Sequence, residues 1–92
     1  MPVSYIGRLI KINSSDAVTL TLPSISSVPN GAEVEIVRYG TGSVTIAVPS
    51  GNYFGKAGIG FSSAAVTIPD RFGAVALKRV STDTWLIVGA YE

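Results

Sequence analysis

Apolar and polar positions alternate along most of this chain. In residues 17–22, Val18, Leu20 and Leu22 point one way and Thr19 and Thr21 the other, the period of a strand with one buried face. Pro23 removes a backbone donor and ends it. Pro29, Asn30 and Gly31 predict a turn, since Asn and Gly tolerate positive φ. In residues 32–38, Val34 and Ile36 point inward and Glu33 and Glu35 outward; in residues 43–48, Val44, Ile46 and Val48 share a face. With the tight Gly40-Thr41-Gly42 link between them, these two strands are expected to form a hairpin.

Residues 50–63 break the alternation. Gly51, Gly55, Gly58 and Gly60 fall among Tyr53, Phe54, Ile59 and Phe61, and glycine at that density weakens strands. A loop is expected there, with short irregular strands at most. Residues 64–68 read as a strand stopped by Pro69. Residues 72–80 and 84–88 read as a last hairpin around Ser81, Thr82 and Asp83, and residues 5–12 as one further strand. No segment has a convincing helical period and cap. Strands at roughly ten-residue spacing predict one all-β domain over residues 1–92, a small antiparallel sandwich, barrel or prism. No repeat of fixed period is apparent.

Composition adds a partner to this picture. Of 92 residues, 47% are hydrophobic and 14% charged, and the mean hydropathy is +0.43. A chain this short has a large surface for its volume, so an apolar surplus predicts strand faces covered by other copies. A homo-oligomer is expected. The net charge of +1 supplies no field that would gather nucleic acid. Lys78 and Arg79 are adjacent in a strand and face opposite ways. No apolar run approaches the ~20 residues of a membrane helix, so no membrane insertion is expected, and the N-terminal residues lack the pattern of a secretory signal.

The chemistry expected of an enzyme is sparse. There is no histidine and no cysteine, which removes Ser–His and Cys–His dyads and thiolate sites. Ser14, Ser15 and Asp16 read as a turn whose side chains bond nearby backbone. Glu33 and Glu35, two apart on a strand, lie ~7 Å from each other. That spacing suits a glycosidase pair, but the outward face of a strand favours two solvated carboxylates. Asp70 and Asp83 sit alone in their turns, so no calcium loop is formed. Gly51, Gly55 and Lys56 approach a phosphate-binding loop, but the spacing is one residue short and Ala57 stands where a magnesium-binding hydroxyl is needed. No catalytic residue, metal or cofactor is expected. The candidate contacts for a ligand or partner are Tyr53, Phe54 and Phe61 in the glycine-rich stretch, because loops on a rigid scaffold carry binding function. The competing reading folds these rings back over an open end of the core. Trp85 alternates with Ile87 and is expected in the core or in a subunit interface.

Four segments in order carry a resemblance. They are Val18-Thr19-Leu20-Thr21-Leu22-Pro23, then Pro29-Asn30-Gly31 with the strand to Val37, then Gly40-Thr41-Gly42-Ser43-Val44-Thr45-Ile46. The last runs from Val75 through Thr82-Asp83-Thr84-Trp85 to Gly89. Together they resemble the β-rich modules of tailed-bacteriophage virion appendages, of the tail-fibre, head-fibre or decoration type. The resemblance implies a non-enzymatic structural protein, made in the host cytoplasm and carried on the virion. It implies a homotrimer that contacts other virion proteins and a host-surface glycan. No site residue carries over from it. A capsid decoration or cementing protein is the alternative within this class, and a monomeric carbohydrate-binding module the alternative outside it. Residues 5–12 are not covered by the resemblance and are read as an edge strand or one exchanged between subunits.

Overall fold

A computed structural model describes residues 6–92. Its strands are β1 (Leu9–Ile12), β2 (Val18–Thr21), β3 (Glu33–Arg38), β4 (Val44–Ala47), β5 (Tyr53–Lys56), β6 (Gly60–Ser62), β7 (Val66–Ile68), β8 (Ala74–Arg79) and β9 (Thr84–Gly89). One short 3-10 turn, Ile25–Ser27, interrupts them. A six-stranded sheet has the order β1-β3-β8-β9-β5-β6 and a three-stranded sheet the order β2-β4-β7. The all-β expectation is met. The antiparallel expectation is not: β1 with β3, β2 with β4 and β5 with β9 run parallel, so both sheets are mixed.

The parallel pairs come from a path the chain takes twice. Leu9 lies opposite Glu35 and Val18 opposite Val44, 26 residues later in both cases. Between the paired strands the corners also stack. Tyr39 N–H donates to Ile12 O, Gly42 N–H to Ser14 O and Val18 N–H to Ser43 O, at 2.8–2.9 Å. Residues 9–21 therefore lie in one register along residues 35–47, a repeat that the sequence reading did not detect. The expected hairpin of β3 and β4 is corrected by the same observation. A Cβ on Gly40 would sit 2.3 Å from Ser14 O, and one on Gly42 2.1 Å from Asp16 O. The two glycines let the corners lie against each other, and the link carries the chain from one sheet to the other instead of folding it back.

The glycine-rich stretch is also more regular than expected. β5 and β6 form an antiparallel hairpin, with Phe54 opposite Ser62 and Lys56 opposite Gly60. Gly58 and Gly60, at φ +76° and +108°, make the turn that a side chain would resist. The last hairpin, β8 with β9, stands where the alternation put it. Leu9–Ile12 pairs with β3 of its own chain and is an edge strand; Tyr5, at the start of the expected strand, lies outside the described residues.

Both sheets turn their inner faces to one core. Val34, Ile36, Val75, Leu77, Trp85, Ile87 and Phe54 enter it from the larger sheet, and Val44, Ile46, Val66 and Ile68 from the smaller. Leu22, Ile25 and Val28 enter from the connection after β2. Two arginines close the ends. Arg38 donates to Ile68 O, Pro69 O and Thr41 O, tying β3 to the end of β7. Arg79 donates to Val28 O and Ser81 O. The free side of β7 is closed by reciprocal backbone bonds between Thr67 and Glu92 at 2.8 and 2.9 Å.

Candidate functional site

The outer faces of the two sheets differ in kind. On the smaller sheet, Thr19 lies opposite Thr45 and Thr45 opposite Thr67, so a row of threonines faces outward. It arises from three copies of one pattern, Val18-Thr19-Leu20, Val44-Thr45-Ile46 and Val66-Thr67-Ile68, in which the middle residue alone points away from the core. This is the ordinary sheet with one dry and one wet face.

The larger sheet departs from that rule. Its outer face carries a row across five strands, Glu33, Lys78, Leu86, Gly55 and Phe61, each opposite the next. A second row runs Leu9, Glu35, Ala76, Val88. Only the β3 end is charged, where Lys78 Nζ pairs with Glu33 at 3.2 Å. Beyond it Ala76, Val88, Leu86, Gly55, Phe61 and Tyr53 form an apolar surface. Phe61 is 76% exposed, Val88 50% and Leu86 36%. Strand β9 is thus apolar on both faces, with Trp85 and Ile87 beneath and Leu86 and Val88 above. Such strands are normally covered on both sides.

The expected contact residues divide on this surface. Tyr53 and Phe61 stand on it together, with ring centroids 6.5 Å apart and ring planes at 72°. Phe54 points the other way and is fully buried, packed in the core with Trp85. It is corrected from a contact residue to a core residue, and the reason is the strand itself: once residues 53–56 are extended, neighbours face opposite sides. Leu86 and Val88 are the members that sequence reasoning missed. Their signal was the uninterrupted apolar run from Trp85 to Val88, where one-sided burial would have placed polar residues. Thr84 shares the outer face yet is buried, its Cγ2 3.1 Å from where a Cβ on Gly55 would stand.

Other candidates are dispersed. Glu33 and Glu35 are exposed and border a depression of about 160 Å³ beside Gly7–Leu9, smaller than the roughly 300 Å³ at which ligand pockets begin. Asp16 N–H donates to Ser14 Oγ at 3.1 Å, as the turn reading requires. Among the described residues no three His, Cys, Asp or Glu side chains gather into a metal-binding group. No family model and no curated protein matches the chain.

Proposed function

We propose that this chain is a non-enzymatic assembly module that covers the outer face of its six-stranded sheet with copies of itself, as a homotrimer. In the reading that the sequence resemblance favours, it is a tail-fibre-like adhesion or appendage part of a bacteriophage virion. The observation that carries the assembly half is the contrast between the two outer faces, threonine on one and Leu86, Val88, Phe61 and Tyr53 on the other. Covering one such Leu or Phe side chain fully contributes on the order of 1.5–3 kcal/mol, so a few of them meeting across a symmetry axis suffice for association. The mechanism is passive: a rigid sheet packs on its copies, and symmetry multiplies weak contacts at the loops.

A capsid decoration protein would use the same apolar face against the shell. A monomeric carbohydrate-binding module needs an exposed ring at Tyr53, Phe54 or Trp85. Phe54 and Trp85 are in the core and only Tyr53 of the three is exposed, so this reading rests on Tyr53 alone and leaves the apolar face of Leu86 and Val88 uncovered. A glycosidase built on Glu33 and Glu35 is disfavoured too, since Glu33 is held by Lys78 on an open strand face. The virion half is tested by sedimenting infectious particles through a density gradient and identifying their peptides by mass spectrometry. Peptides of this chain should travel with the particles; their confinement to the soluble fraction of infected cells would contradict the reading.

A further inference from the structure

At the corner of the molecule diagonal to Phe61 and Tyr53, four side chains stand in line. Lys11 Nζ lies 4.6 Å from the centroid of the Tyr39 ring. The Tyr39 and Phe72 centroids are 5.4 Å apart with ring planes at 85°. The Arg71 guanidinium carbon lies 4.9 Å from the Phe72 centroid. We propose that this cation–ring–ring–cation corner binds an acidic saccharide, the sugar's C–H face resting on Phe72 and its carboxylate or sulfate held by Arg71 or Lys11.

Phe72 is the reason to look here. It is the one non-glycine residue at positive φ among the described residues, at +67°. That conformation costs a bulky residue about 1–2 kcal/mol, and glycine would adopt it freely. Burial does not repay the cost, since Phe72 is 61% exposed. A strained residue that neither the turn nor the core requires points to a role in contact.

The corner is held firmly. Arg38 N–H donates to Gly73 O at 2.9 Å and Phe72 N–H to Arg38 O, which fastens the turn of residues 70–73 to the end of β3. Arg71 Nε donates to Tyr39 O at 2.8 Å. Its two terminal nitrogens carry no hydrogen bond among the described residues and remain free for an anion. Neither Lys11 nor Arg71 has a carboxylate partner there, the one ion pair being Lys78 with Glu33. Aromatic rings offer apolar area with fixed shape, and a guanidinium recognises planar carboxylates through paired bonds. Single-stranded nucleic acid fits less well. It needs ring faces on which successive bases stack and a basic track for its backbone, whereas these rings are nearly perpendicular and the chain carries only +1.

The inference deepens the adhesive part of the proposed function and rests on it. The test is an array of carboxylated, sulfated and neutral oligosaccharides, with single-stranded DNA oligomers beside them, probed with the labelled wild-type chain, Phe72→Gly and Arg71→Gln. Acidic saccharides should bind the wild type at least about 10-fold better than neutral ones, and both substitutions should weaken binding at least about 5-fold. Phe72→Gly should meanwhile keep or raise the denaturation midpoint, because it relieves the positive-φ strain. A fall in that midpoint would make Phe72 a structural residue and overturn the argument. Binding that both variants retain would overturn this site and leave the adhesive reading standing. Silence of every saccharide would overturn both, and a preference for DNA would replace the ligand class.

Discussion

Asn52 shows how much one buried polar side chain settles. It is 8% exposed, and its Oδ1 accepts the backbone N–H of Ile25 at 3.0 Å. Ile25 begins a 3-10 turn whose own bonds leave that donor unused, and the residue is itself in the core. Asn52→Ala would strand a buried N–H at a cost of about 1–3 kcal/mol. We expect the urea midpoint to fall accordingly, with the strand signal in circular dichroism unchanged below the transition; an unshifted midpoint would show that another group satisfies Ile25. Nothing near Asn52 announces this role, because its partner is 27 residues away. Tyr53 and Phe54 illustrate the opposite case. Their assignment to opposite faces follows from strand alternation alone, and it was hidden only because the glycines around them obscured the strand.

At the scale of elements, the corners matter as much as the strands. Outside the glycine-rich stretch the strands were legible from their own alternation, and β2, β3, β4, β7, β8 and β9 fall within a residue or two of where that alternation puts them. Beyond the β8–β9 hairpin, their pairing was not legible. A Gly-Thr-Gly link between two amphipathic strands reads as a hairpin by local grammar, yet here it stacks on residues 14–16 and carries the chain between sheets. The information lay in the recurrence of Val-Thr-Leu/Ile at Val18 and Val44, 26 residues apart, which signals a repeated path more than a local turn. This gives a direct test. Gly42→Ala would put a Cβ 2.1 Å from Asp16 O, a backbone atom with nowhere to move cheaply. The penalty should be at least about 2 kcal/mol, in the upper part of the range for overpacking. An alanine accepted without loss of stability in urea denaturation would mean that the corners do not stack.

For the whole molecule, the question is what lies against the larger sheet. Composition predicts a covered surface, since a chain of 92 residues with 47% hydrophobic residues has a large surface for its volume. Which surface it is could not be read from composition. It emerges when register brings Leu86 of β9, Gly55 of β5 and Phe61 of β6 into one row, three residues from two distant parts of the chain. The outer face of the same sheet carries charge at Lys11 of β1, along β3 and at Lys78, so the apolar part is bounded on one side and copies of a chain of net charge +1 meet with little repulsion. The measurement that tests this most directly is the solution mass, by light scattering on a size-exclusion column, of the wild type and of a Leu86→Lys, Val88→Lys variant. Both substitutions fall on exposed outer-face positions, so the core and the strand pairing are left in place. The account predicts about three times 9.5 kDa for the wild type and 9.5 kDa for the variant. A wild type that elutes at 9.5 kDa, or a variant that keeps the full assembled mass, would contradict it.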